Sequence, residues 1–498
     1  MPDTKIVINP RPANPVTPAS ANDPKEALFS YPEPDKKLLL GWRGLLGFLG
    51  PGIILASATV GSGEVFFAPR GAAIFGYSIL WCLLLGALSK GFMSYTGTRY
   101  IVLTSEHPIT RWGRIFPGPK NWFPILLGVL AVLSMPSWVG GVANLLANMM
   151  MYLTNGALSV PIWATIYIVG TLAIVASGTY QHVETTQTYI VIAKVITSFV
   201  ALFAVNPDWG QLLLGLIPNM PTYEPWIATK YPEIASRSIG MEMVAYVGAI
   251  GGGTYDYIGY VGLYRNKGWG AMGLPNQKEI EEKLHIIEGQ FPLPTSKGEI
   301  AKAKTWLKAA QIDTIVSFGT LLLITVVFTA LGSAVLHTQQ LIPSGMKLLE
   351  HQSAFLTVIH PGLVYLYWLA VWCALWGVLS SIYELYPSTV YEAFRPASSW
   401  VREKGKTGVA KYVWIYMSLG GLAYNWAGFN VVTIVMVGSI LGGALSCGLW
   451  CLAQIYAERK VLPPEYRMSS WVVVCVALSG IFLIAMAVFS VLDQFKLV

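Results

Sequence analysis

Two glycine-rich interruptions, each followed by a carboxylate, lie inside hydrophobic stretches of this sequence. One reads Ala58-Thr59-Val60-Gly61-Ser62-Gly63-Glu64; the other reads Gly248-Ala249-Ile250-Gly251-Gly252-Gly253-Thr254-Tyr255-Asp256. A membrane helix broken by glycines exposes backbone carbonyls and amides that lipid cannot satisfy, so such breaks survive where they are buried or line a cavity. A matched pair of breaks in the two halves of one chain points to a transporter's binding site. An acidic side chain beside each break makes a cation the first expectation for the cargo.

Glu64 has two readings. It binds substrate or a coupling ion, or it forms a buried structural pair with Arg70 or Lys90. A charge within the bilayer costs some 2.5–3.5 kcal/mol on insertion scales, which favours the functional reading. Asp256 lies just past the second break, with an uncertain helical phase. Lys90 and Lys194 also fall in apolar segments and need partners, and Glu184 is a gate partner or a snorkelling side chain. His360, beside Pro361, could titrate near neutrality and couple transport to protons, or be structural. Glu242 and Asp313 read as solvated charges at helix ends. The glycines could serve close helix packing, but three in a row exceed that need, so an unwound helix is expected at Gly251–Gly253.

The elements that must position these residues are membrane helices. The chain has 498 residues, 54% hydrophobic and only 12% charged, with mean hydropathy +0.54. Soluble domains carry roughly 25% charged residues. Stretches such as 121–183 and 412–457 lack Asp, Glu, Lys and Arg altogether, and each exceeds the ~20 residues that span a bilayer. Eleven spans are expected, at about 45–75, 78–101, 122–152, 160–177, 184–205, 238–264, 309–337, 354–383, 411–425, 428–456 and 469–492. Basic residues precede span 1 and follow spans 2, 6, 8 and 10, whereas the loops after spans 3 and 9 have none. This alternation puts the N-terminus in the cytoplasm. The net charge of +7 is then a topology signal rather than a nucleic-acid footprint. Residues 1–40 are Pro-rich and polar, expected to be a disordered cytoplasmic tail. Residues 41–460 form the transporter core, and 461–498 an extra C-terminal helix. In the long loop after span 6, Ile280, Leu284 and Ile287 form an apolar stripe, expected as an amphipathic helix on the protein or at the interface.

Span 1 is broken and, five spans later, span 6 is broken. That spacing fits an inverted five-plus-five repeat, about 44–205 and 238–456, with discontinuous helices 1 and 6: an all-α, leucine-transporter-like membrane fold. Here the residues resemble a known family. Gly50-Pro51-Gly52-Ile53-Ile54, Gly71-Ala72, Phe75-Gly76-Tyr77 and Leu80-Trp81 look like the first span and second-span start of Nramp divalent-metal transporters, with weaker similarity through spans 5 to 7, including Val183-Glu184 and Asp313-Thr314. The resemblance implies divalent-metal transport, and it also shows departures. Where that family has Asp-Pro-Gly-Asn, this chain reads Gly61-Ser62-Gly63-Glu64; where it has Met-Pro-His, this chain reads Gly252-Gly253-Thr254; and Ser134-Met135-Pro136-Ser137-Trp138 lacks the carboxylates of the family's proton route. The resemblance further assigns carbonyls three residues before each key ligand, at Ala58 and Ala249.

Loss of the thioether removes the preference for softer metals, and an all-oxygen set suits Mg, Ca and Mn. The expected set comprises Ala58, Thr59, Gly61, Ser62, Glu64, Ala249, Gly252, Thr254 and Asp256, with Arg70, Lys90, Glu184, Lys194 and His360 in coupling or gating. Mg keeps several waters and accepts few protein ligands, so Mg or Mn is the expected cargo, moved by alternating access with a proton or ion as coupling partner and no tightly bound cofactor. The rival is an amino acid or other small organic solute on the same fold, since half-helix N-termini bind carboxylates and the glycines leave room. The sequence carries no P-loop, HExxH or nucleophile elbow, so neither an enzyme nor an ATP-driven pump is expected.

Overall fold

The computed structural model describes residues 27–39, 48, 63–177, 196–343, 347–357 and 359–497. All regular elements among them are helical. Six helical stretches of the described residues are long and apolar enough to cross a membrane: Gly63–Thr104, Trp122–Leu153, Lys297–His337, Leu363–Phe394, Val431–Val461 and Ser470–Gln494. We number the principal helices α1 (Ala68–Phe75), α2 (Leu80–Thr104), α3 (Pro108–Ile115), α4 (Trp122–Leu153), α5 (Val160–Ala176) and α6 (Ile196–Val205). They continue with α7 (Ile239–Ala249), α8 (Thr254–Leu263), α9 (Gln277–Ile286), α10 (Lys297–Leu331), α11 (Leu363–Phe394) and α12 (Ser399–Trp426). The last are α13 (Val431–Gly438), α14 (Ser446–Val461) and α15 (Ser470–Gln494).

The sixth span is split as expected. α7 ends at Ala249 and α8 starts at Thr254; between them Gly251 and Gly252 both take positive φ, 76° and 75°. Two successive left-handed residues are accessible only to glycine without strain, so the glycines are what unwinds this helix. Among the described residues, π-helical turns occur at three other places: Gly63–Phe67 before α1, Gly332–His337 after α10 and Ser439–Leu445 between α13 and α14. Such turns shift side chains out of register and recur at functional sites.

α4 runs through the middle of the bundle. A Cβ at Gly141 would meet Val435 of α13 at 2.4 Å, and one at Gly140 would meet the Gly421 carbonyl of α12 at 3.1 Å. Asn144 donates to Asn425 at 2.9 Å, and Asn425 donates to the Gly140 carbonyl at 3.0 Å. Small residues and buried amides hold helices together where no hydrophobic effect operates between them. α15 sits in a similar seam, with Gly448 facing the Gly480 carbonyl.

Four expectations need correction. First, residues 28–38, placed in a disordered tail, dock on the bundle: Phe29, Tyr31 and Leu38 are buried, Tyr31 donates its hydroxyl to the Leu103 carbonyl at 2.7 Å and its amide to Glu299 at 2.6 Å, and Trp306 donates to the Pro32 carbonyl. Burying these apolar side chains offsets the ordering entropy. Second, α10 begins at Lys297, twelve residues before the expected span, capped by Ser296. Asp313 therefore lies about four turns inside a helix and is buried, accepting hydrogen bonds from Tyr260 (3.0 Å) and Tyr264 (2.6 Å). Third, α11 starts at Leu363 rather than 354, because Pro361 follows a separate helix, Lys347–Thr357. Fourth, Glu242 is buried rather than solvated, paired with Arg237 at 2.9 Å and accepting from the Tyr246 hydroxyl. The amphipathic helix is present as α9. It lies on the protein, with Ile280 and Leu284 buried.

Candidate substrate site at the helix break

The π-turn carrying Glu64 lies against the break between α7 and α8. A Cβ at Gly63 would stand 2.6 Å from the Ala249 carbonyl oxygen and 3.0 Å from the Ile250 Cα, so only glycine permits this approach. Glu64, fully buried, accepts a hydrogen bond from the Gly251 amide at 3.0 Å. Unwinding orphans that amide, and the carboxylate satisfies it. Asp256 accepts from the Gly253 amide at 3.0 Å and so caps α8. Thr254 donates to the Gly442 carbonyl at 3.3 Å, in the π-turn between α13 and α14. There Gly443 and Gly248 meet backbone to backbone, with an ideal Cβ on Gly443 only 2.3 Å from the Gly248 carbonyl.

Lys90 comes from the middle of α2 and is fully buried. Its ammonium donates to four backbone carbonyls of the break: Ile250 and Gly252 at 2.6 Å, Val247 and Gly248 at 2.9 Å. The charge thus rests on the negative end of α7 and on the unwound peptides beyond it. The Tyr257 hydroxyl donates to a further carbonyl of the break, that of Gly251.

The expected residues therefore separate into groups. Glu64, Ala249, Gly252, Thr254, Asp256 and Lys90 come together at the break. Arg70 is buried one to two turns further along, donating to the Pro343 carbonyl at 2.6 Å; it lines a cavity of 380 Å³ with Phe66, Asn144, Asn148, Arg237 and Asn425. His360 stands on an exposed turn, its Nδ1 accepting from the Gly362 amide. Ala58, Thr59, Gly61, Ser62, Glu184 and Lys194 lie outside the described residues. Two contributors escaped sequence reasoning. Tyr257 is one aromatic among many, and the Gly442 turn gave no signal beyond its glycines. For Lys90 the sequence showed only that a lysine in an apolar helix must find a partner. Among the described residues, no three His, Cys, Asp or Glu side chains cluster as metal ligands.

A family model described as natural resistance-associated macrophage protein-like matches residues 52–252, ending inside the break. The divalent metal cation transporter MntH of Caldanaerobacter subterraneus is 24% identical over 265 residues, covering 51% of this chain and 56% of that protein. Over this stretch the chain is similar to the Nramp family. Natural resistance-associated macrophage protein 2 of Mus musculus is 25% identical over 229 residues, 43% of this chain and 39% of that protein. For metal transporter Nramp6.2 of Populus trichocarpa the figures are 24% over 187 residues, 36% and 33%. The matches thus span from a third to just over half the length of these curated relatives. A manganese transporter of Eremococcus coleocola superposes with a TM-score of 0.62 over 95% of this chain and 91% of that one, at 14% identity. At that identity the likeness is one of fold. This Nramp relative is an integral multi-pass membrane protein with the leucine-transporter-like architecture.

Proposed function

We propose that this Nramp-related chain is a secondary transporter that moves a divalent cation by alternating access, with Mg or Mn favoured. The observation that carries the reading is the contact of Glu64 with the Gly251 amide: a buried carboxylate from the π-turn at the start of the first described span sits on the break between α7 and α8. Glu64, Asp256, the Thr254 hydroxyl and the Ala249 carbonyl supply oxygen chemistry only, which suits hard ions. Each carboxylate now satisfies a backbone amide of the break. Cargo binding at a carboxylate would loosen that amide, which links ion occupancy to the geometry of the α7–α8 hinge. The N-terminus is cytoplasmic on this reading, and the fold's symmetry supplies the two access states.

Titration calorimetry of the purified protein with Mg, Mn, Ca and Zn tests it. Mg or Mn should bind and Glu64→Gln should abolish the heat. Undiminished binding in Glu64→Gln would remove Glu64 from the ligand set.

One observation favours a second reading, transport of an amino acid or other small organic solute. The 380 Å³ cavity beside α1 presents two guanidiniums, Arg70 and Arg237, and four asparagine amides beside the Glu233 carboxylate, a mixed set that matches the carboxylate and amine of an amino acid better than a metal ion. Absence of divalent-ion heat, together with thermal stabilisation by an amino acid that Arg237→Gln removes, would establish this reading in place of the first.

A further inference from the structure

The four carbonyls around Lys90 have the form of an inorganic cation site. They come from the last turn of α7 and the unwound peptides after it, the place where broken-helix transporters hold coupling cations. They surround one nitrogen at 2.6–2.9 Å. An ammonium has three protons, so four acceptors at this range cannot each receive a directed hydrogen bond of its own. Four carbonyl oxygens converging on one charge resemble carbonyls that replace an ion's hydration shell. The spacing runs from the upper end of the about 2.3–2.6 Å that Ca²⁺ takes to beyond it, which suits a larger cation of single charge. The aliphatic stem of Lys90 lies over Gly251, its Cδ 3.5 Å from where a Cβ would stand, so the break leaves a channel for that stem. Glu64, Asp256 and Cys447 are the titratable groups that act on the ammonium.

We propose that Lys90 is a tethered cation that permanently fills a monovalent-cation site made by the carbonyls of Val247, Gly248, Ile250 and Gly252. Two consequences follow. The protein needs no soluble alkali ion at this position. The cargo must also take its oxygens from elsewhere, which removes the Gly252 carbonyl from the expected ligand set. The second consequence rests on the transporter reading; the site itself does not.

The experiment is the thermal stability of purified Lys90→Ala in choline, sodium, potassium and ethylammonium chlorides at equal ionic strength, beside wild type and Lys90→Met. Opening the cradle should make Lys90→Ala markedly less stable in choline. Potassium, sodium or ethylammonium should then restore Tm by several degrees in a saturable way. Wild type should be indifferent to the cation. Lys90→Met, whose side chain keeps the channel filled, should not be rescued. The proposal is overturned if Lys90→Ala has the same Tm in choline as in every other salt, or if wild type shows the same saturable response. It is equally overturned if Lys90→Ala fails to fold in all four salts, because a free cation should re-enter an intact cradle. None of these outcomes depends on whether the wild type binds a divalent ion, so failure here and failure of the divalent-cation reading are separable.

Discussion

At the scale of single residues, the site is set by how closely two backbones approach. Gly63 touches the Ala249 carbonyl so tightly that a methyl group would overlap it, whereas a Cβ on Gly319 of α10 would meet nothing within 4 Å. Gly63→Ala should therefore cost about 1–3 kcal/mol as overpacking and push Glu64 off the break. Gly319→Ala should be neutral or slightly stabilising, since alanine favours helix. Tm measured on both variants, with cargo binding on the first, checks this pair; equal Tm values would refute the close-approach argument. Asp256 separates capping from charge. Asp256→Asn keeps an acceptor for the Gly253 amide and should hold Tm near wild type, while Asp256→Ala should lose about 0.5–2 kcal/mol as other lost caps do. If Asp256 also binds the cargo, Asp256→Asn should abolish uptake without loss of Tm.

At the scale of elements, α9 is clasped from several sides. Glu281 accepts from Arg265 at 2.8 and 3.2 Å and also receives Arg395, while Glu392 lies 3.4 Å from Arg265. Arg111, itself paired with Glu106 at 2.9 Å, donates to the Leu284 and Ile287 carbonyls at 2.6 and 2.5 Å and so closes the C-terminal end of α9. Three segments distant in sequence, after α2, after α8 and at the end of α11, are thereby joined through one short helix. These ion pairs are largely shielded from water, so removing one partner leaves the other uncompensated. Glu281→Gln should release α9 while the spans stay packed. Amide exchange over 277–287 should rise at least several-fold with no change in α4 or α14. Exchange that stays at the wild-type rate would show that α9 is held by Ile280 and Leu284 alone.

At the scale of the whole molecule, the faces of the bundle are distinguished by charge. The docked segment 28–38 meets the start of α10 through Glu299, and Lys302 reaches Glu33 at 2.8 Å. The N-terminal segment therefore shares a face with the basic loops after α2, α8, α11 and α14. On the proposed topology, which the positive-inside rule favours, that face is cytoplasmic. Gly156, between α4 and α5, and Gly289, after α9, both have open space where a side chain would stand. The five native cysteines are buried or nearly so, which leaves little background for labelling. A membrane-impermeant maleimide should label Gly156→Cys in intact cells and Gly289→Cys only after permeabilisation; the reverse pattern would invert the topology.

Much of this architecture was legible in the chain itself. The apolar stretches without charge dictate membrane helices because lipid leaves no other way to satisfy the backbone, and Gly251–Gly253 dictate a break because only glycine takes two successive left-handed conformations. The apolar stripe of α9 was equally readable from its spacing. Other features belong to the tertiary structure alone. Lys90 could be seen to need a partner, but its four carbonyl acceptors lie on peptide groups more than 150 residues away, and every residue type carries a carbonyl, so no side-chain pattern marks them. Asp313 looked like a solvated end because α10 begins twelve residues before its apolar stretch, and the tyrosines that bury it arrive from α8 and the turn after it; Glu242 does lie in the first turn of α7, but the packing of the bundle buries it with Arg237 and its own-helix neighbour Tyr246. The docking of residues 28–38 likewise depended on a few aromatic side chains finding a groove that exists only once α2 and α10 have packed. Local backbone chemistry is written in residue type, whereas the partner of a buried charge is decided by which helices the fold brings alongside it.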